Sequence, residues 1–193
     1  MPKKTTILAF AGSARNDSWN KKLIRVAAEG ARAAGAVVTE IDLADYPMPI
    51  YDGDMEAAEG QPNNAKMLKA LMVDNDGFLI ASPEYNSGYS PLLKNAIDWT
   101  SRPVPNETRL IAFAGKTAAL MSASPGILGG LRGLVQLRQV LSNIQVLVLP
   151  DQVTLPTAQN AFNNDGDLAD KAKHQETIKL GAKLANLLYK LQA

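Results

Sequence analysis

Cysteine is absent from all 193 residues, which excludes disulfide cross-links, thiol nucleophiles and cysteine-held metals together. Histidine is nearly absent. His174 is the only one, and it falls in the last helical segment as an expected solvated residue, so a Ser-His-Asp triad or a histidine-centred metal site has little to build on. Charge of one sign is lacking too: 20 Lys+Arg stand against 19 Asp+Glu, a formal net charge of +1. No global field steers such a chain onto nucleic acid or an anionic membrane, neither of which is an expected partner, and any anion it binds must be gripped locally. No apolar run approaches the roughly 20 residues of a membrane span. The stretch from Met1-Pro2-Lys3-Lys4 to Gly12 is too short for a secretion signal, so a cytoplasmic location is expected. What the chain does have is ordinary globular composition, 46% hydrophobic and 20% charged, which suits one domain with a sizeable core.

The order of elements follows from periodicity. Thr5 to Ala11 is a short apolar run ending at Gly12, a strand covered on both faces. Lys21 to Ala34 places Leu23, Ile24, Ala27, Ala28 and Ala31 at helical spacing, with Gly35 placed to end the helix. Ala36 to Ile41 is a second strand. The segment Asp42 to Pro62, broken by Pro47, Pro49, Gly53 and Gly60, reads as irregular and as a surface excursion near a site. A helix over Asn63 to Val73, a third strand over Gly77 to Ala81, a helix over Pro91 to Ser101, a fourth strand over Thr117 to Ser122, a helix over Leu131 to Leu141 and a fifth strand over Ile144 to Leu149 follow. The last helix spans about Leu168 to Leu191, with an apolar stripe of Leu180, Leu184, Leu187, Leu188 and Leu191. Strands alternating with helices imply an α/β fold: a doubly wound, five-stranded parallel sheet of order 2-1-3-4-5 with helices on both faces and a binding crevice between the first and third strands.

Three loops at the carboxyl ends of strands could carry chemistry. The first, Gly12 to Asn20, offers Ser13, Ser18 and Asn20 as hydrogen-bonding groups, Arg15 as a fixed charge and the free N–H groups of the next helix, the makings of a phosphate site. The plainer alternative is that Ser18 or Asn20 caps the helix, which leaves Arg15 without a task. The second loop runs through Pro83, Glu84, Tyr85 and Asn86, whose polar groups suit the edge of a heterocycle, although Tyr85 could be a rim aromatic. In the helix beyond it, Leu93, Ile97 and Trp99 read as core, and Asp98 with Arg102 as an i,i+4 ion pair. The third loop, Ser122 to Gly130 with Ser124 and Gly126, allows a flat ligand close to the backbone.

Sharper nucleotide motifs fail. Ala14 and Asp17 stand where a dinucleotide fingerprint beginning at Gly12 needs glycine, and Gly115-Lys116-Thr117 precedes its strand and has Leu110 in place of a P-loop's first glycine.

Taken together, Gly-Ser-x-Arg-x-x-Ser-x-Asn at 12–20, Pro-Glu-Tyr-Asn at 83–86 followed by Leu-Lys-Asn-Ala-Ile-Asp-Trp at 93–99, and Ser-x-x-x-Gly-x-x-Gly-Gly at 122–130 resemble the NADPH-dependent FMN reductase family of flavodoxin-like quinone, chromate and azo-dye reductases. The resemblance implies FMN as cofactor, NADPH or NADH as co-substrate, a small-molecule electron acceptor, and a homodimer or homotetramer whose interface borders the flavin. It implies that Ser13, Arg15, Ser18 and Asn20 hold the FMN phosphate, that Pro83 to Asn86 line the ring and that Ser122 to Gly126 close the other side. It assigns Trp19 no role. Hydride would pass from the nicotinamide to FMN and on to the acceptor, with the hard chemistry carried by the cofactor. Two other readings stand beside it: an FMN electron carrier that does not oxidise nicotinamide, and a flavin-free domain of the same fold.

Overall fold

A computed structural model describes residues 4–192; Met1, Pro2 and Lys3, the start of the segment weighed above as a possible signal, lie outside the described residues. Five parallel strands form the central sheet: β1 (Thr6–Ala11), β2 (Val37–Asp42), β3 (Gly77–Ala81), β6 (Thr117–Ala123) and β7 (Leu147–Leu155), in the order β2-β1-β3-β6-β7. β4 (Glu84–Tyr85) and β5 (Gly88–Tyr89) make a small antiparallel hairpin in the loop after β3. The helices are α1 (Trp19–Ala33), α2 (Gly53–Glu59), α3 (Asn63–Asp74), α4 (Pro91–Thr100), α5 (Leu131–Asn143) and α6 (Lys171–Gln192). The expected doubly wound order is the observed one once the hairpin is set aside.

Both sheet faces are covered, which is why the three inner strands β1, β3 and β6 read as nearly unbroken apolar runs. Ile7, Ala9 and Ala11 of β1 face α1 and α6, while Leu8 and Phe10 face the core formed with α3, α4 and α5. On that second face Phe78 meets Phe10 and Phe113 edge-on, at centroid distances of 6.3 and 6.2 Å. On the first, α1 and α6 cross at backbone contact: a Cβ on Gly181 would lie 1.8 Å from the Ala27 carbonyl oxygen, and one on Gly30 2.0 Å from that of Ile178. Only glycine permits that approach.

Several expectations need correction. The excursion after β2 is not structureless, for it contains a turn of 3₁₀ helix at Leu43–Asp45 and α2. Asp52 caps α2 by accepting from the N–H groups of Asp54 and Met55. None of its residues is buried, so it leaves no apolar period to read. The excursion is pinned to α4, where Asn95 accepts from the Tyr51 N–H at 2.8 Å and Asn95 and Trp99 Nε1 both donate to the Pro49 carbonyl at 2.8 Å. The i,i+4 pair of Asp98 with Arg102 does not form. Arg102 lies beyond the end of α4 and pairs with Glu56 of α2 at 2.9 Å, while Asp98 takes Lys94 at 2.6 Å.

The fifth strand begins later and runs longer than Ile144 to Leu149. Ile144 caps α5 and Gln145 leaves it at φ +69°. Pro150 falls where the β6–β7 register shifts between Ala118 and Leu120, and at an edge strand such an irregularity accommodates a residue without an N–H. The last helix starts at Lys171; Leu168 precedes it, bridging to Phe162. Of its proposed stripe, Leu180, Leu184 and Leu188 are buried and Leu187 is partly so, but Leu191 is exposed. Among the described residues no helix is long and apolar enough to cross a membrane.

Candidate cofactor cleft

The loops after β1, β3 and β6 open side by side because those strands are neighbours in the sheet and share a direction. Between them lies a cleft with about 360 Å³ of empty space, partly open to solvent, walled by Ser13, Arg15, Ser18, Trp19 and Asn20, by Pro83, Glu84 and Tyr85, and by Ala123, Ser124 and Pro125. The crevice lies at the strands' carboxyl ends where the chain order reverses, as the topology requires.

The side chains of Arg15 and Ser18 in the first wall are donors not committed to an acceptor among the described residues. Ser18 begins α1 but its side chain makes no capping bond, so the first N–H groups of the helix remain unused and carry roughly half a positive charge between them. Arg15 makes no ion pair among the described residues, and its guanidinium lies over the Trp19 ring at 5.4 Å. Asp17, the carboxylate nearest in sequence, is taken by Lys22 at 2.5 Å, and that hydrogen bond holds its carboxyl below the usual range. Ser13 Oγ accepts from the Arg15 N–H at 3.3 Å and keeps its own proton to donate. At the foot of α1, Lys21 pairs with Asp42 of β2; burial pushes that carboxyl up, but the Lys21 hydrogen bond and the Ala44 N–H outweigh it.

The second wall is braced from behind. Glu84 is turned toward α5, accepting from the Gly133 N–H at 2.9 Å and meeting Arg132 at 3.3 Å. A carboxylate there stabilises a helix start that has only Gly130 as its N-cap. Asn86 and Ser87 both have positive φ, +50° and +67°, as the two-residue turn of a tight hairpin demands. Asn86 thus has a backbone reason for being there, and it does not line the cleft. Tyr85 is half exposed on the rim.

The third wall is made by Ala123, Ser124 and Pro125. Ser122 and Gly126 of the expected set stand outside the lining: Ser122 is fully buried, its Oγ against Gly130, where a Cβ would come within 1.8 Å. Asn20 is in the lining, but its amide is engaged with the backbone of Ala123. Trp19 lines the cleft although it drew no role from sequence; an aromatic inside a polar loop was the only signal. His174 lies on α6 and is not among the lining residues.

FMN fits this cleft on the structure's own terms. The Arg15 guanidinium, the Ser18 hydroxyl and the start of α1 suit a phosphate, and Pro83, Tyr85 and Pro125 offer apolar surface to a ring.

The family profile for NADPH-dependent FMN reductase matches residues 5–160. A probable NADPH:quinone oxidoreductase 2 of rice is 36% identical over 100% of this chain and 89% of its own length. An NAD(P)H-dependent FMN reductase of Pseudomonas aeruginosa is 37% identical over 90% of this chain and 89% of its own. Among solved structures, the flavoenzyme NAD(P)H:(acceptor) oxidoreductase FerB of Paracoccus denitrificans superposes with a TM-score of 0.78 at 26% identity, over 96% of this chain and 98% of that one.

Proposed function

The chain belongs to the NADPH-dependent FMN reductase family, and from that premise we propose how its three loops hold the cofactor and face an acceptor. It is an NAD(P)H-dependent FMN oxidoreductase that acts on quinones. FMN, when bound, supplies the hydride-accepting and hydride-donating chemistry, so no acid or base residue is required of the protein.

The residues divide the remaining work. Arg15, Ser13, Ser18 and the N–H groups at the start of α1 neutralise and orient the phosphate. Pro83, Glu84 and Tyr85 border the ring on one side and the backbone of 123–125 on the other. Asn86, Ser122 and Gly126 shape the loops that present these groups. The observation that carries the assignment is the unsatisfied donor set around Arg15, whose carboxylate neighbour is already bound to Lys22. One guanidinium and one helix terminus suit a phosphate monoester of about two negative charges.

The acceptor class is neutral and planar. Trp19, Pro83, Tyr85 and Pro125 give the cleft apolar walls, and Glu84, the carboxylate among the lining residues, is turned into its brace. The working unit is a homodimer or homotetramer in the cytoplasm. What supports association is a set of exposed apolar side chains, Ile127, Leu128, Leu131 and Val135, running from the third loop along α5; patches of that kind mark contact surfaces.

The test is the visible absorption spectrum of FMN-reconstituted protein before and after anaerobic NADPH, with light scattering on the same sample. Bound-flavin bands that bleach within seconds are expected. Bound flavin that stays oxidised would leave an electron carrier, and absence of bound flavin would remove the site assignment.

A further inference from the structure

Asn20 is 3% exposed, and both of its amide atoms are already spent: Oδ1 accepts from the Ala123 N–H at 2.9 Å and Nδ2 donates to the Ala123 carbonyl at 2.9 Å. Ala123 is the last residue of β6. The N–H and C=O of one strand residue point to the same side, and for alternate residues of β6 here that side is the one facing β3, since the Met121 carbonyl accepts from the Ser82 N–H. The next such position, Ala123, has no β3 residue left to meet, because the chain turns away at Pro83. The Asn20 side chain stands there instead, a peptide-like group that continues the ladder past the end of β3. On the opposite edge, Ala123 pairs in register with Leu155 of β7.

We propose that Asn20 is a positioning residue that locks the first loop to the third, and not a ligand of the flavin phosphate. To reach a phosphate it would have to abandon two buried hydrogen bonds and orphan the Ala123 N–H and C=O, a loss that one new contact does not offset. Its neighbours Arg15 and Ser18 have no such commitment. The brace fixes the spacing between the wall that grips the phosphate and the wall that borders the ring, so the loops are ordered before any ligand arrives and the cost of ordering them is not charged to binding. The proposal rests on the reading that the first loop holds the FMN phosphate.

The two roles separate when the phosphate is removed from the ligand. Dissociation constants for FMN and for riboflavin, which has no phosphate, are measured by flavin fluorescence for the wild type, Arg15→Ala and Asn20→Ala. Asn20→Ala is expected to weaken both flavins by the same factor, about tenfold, with their ratio unchanged. Arg15→Ala is expected to weaken FMN alone. An Asn20→Ala variant that loses FMN but keeps riboflavin affinity overturns the proposal, and so does one that keeps both. An Arg15→Ala variant whose FMN-to-riboflavin ratio does not move sinks the phosphate-loop reading instead, whatever Asn20 does. Should Asn20→Ala fail to fold, the wild-type holoprotein still decides: the side-chain amide signals of Asn20 in a ¹H–¹⁵N spectrum should coincide in the FMN and riboflavin complexes, and a displacement between them overturns the proposal.

Discussion

The Ser90 hydroxyl donates to the Gly12 carbonyl at 2.6 Å, joining the helix that follows the second loop to the residue that opens the first. The same oxygen accepts from the Leu93 N–H at 3.2 Å and so caps α4. Gly12 allows this closeness, since a Cβ there would lie 2.7 Å from Ser90 Oγ. A single buried hydroxyl thus serves both a helix end and a loop.

Ser90→Ala should lower stability by about 1–2 kcal/mol, the worth of an N-cap and a buried hydrogen bond that are lost together. Ser90→Thr, which keeps the hydroxyl, should recover most of it. Urea unfolding midpoints decide; equal midpoints for wild type and Ser90→Ala would show that the tie contributes nothing.

Arg15→Ala should weaken FMN binding at least tenfold, because a hydrogen bond to a charged group is worth about 1.5–3 kcal/mol. Equilibrium dialysis of the holoprotein measures this. Unchanged retention of FMN would place the phosphate elsewhere.

Lys69, only 5% exposed, reaches both the Arg102 carbonyl and the Glu107 carboxylate. Its hydrogen bond holds the Glu107 carboxyl below the ordinary value of 4.5. A carboxyl depressed in the folded state adds stability above its unfolded value, and loses that contribution as pH falls through the folded one. Melting temperature should therefore fall more steeply on acidification below that ordinary value in the wild type than in Glu107→Gln. Parallel curves would deny the pair any role in acid stability.

Gly181→Ala should destabilise the protein by about 2–3 kcal/mol or more, since the added methyl meets backbone and not a side chain that can turn aside. The readout is the thermal midpoint, where about 2–4 °C corresponds to each kcal/mol at this chain length. A neutral substitution would mean that α1 and α6 are free to move apart.

Legibility in the sequence followed burial. Strands covered on both faces, such as Gly77–Ala81, announced themselves as apolar runs, and their alternation with helices carried the sheet order. α2 and the hairpin stayed hidden because neither buries a periodic face: α2 is held by Asp52 and Glu56, and the hairpin turn by the left-handed backbone of Asn86 and Ser87. The far end of β7 is not legible in the sequence because an irregular edge strand can run through Pro150 and Asp151, which sequence reads as a stop. Within the cleft, the residue types singled out lie in the three loops that wall it, but their types do not disclose the tasks of single side chains. Asn20 and Glu84 look like ligands in one dimension, and only the fold reveals that their polar atoms are spent on Ala123 and Gly133.

Trp19 forms part of the cleft wall under Arg15, whereas Trp99, the only other tryptophan, is wholly enclosed and hydrogen-bonded to Pro49. The molecule therefore carries its own optical gauge. Of its two indoles, one stands in the cleft wall and the other in the core, so a Trp99→Phe variant leaves Trp19 as the single emitter with which occupancy of the first loop can be followed without attaching a dye.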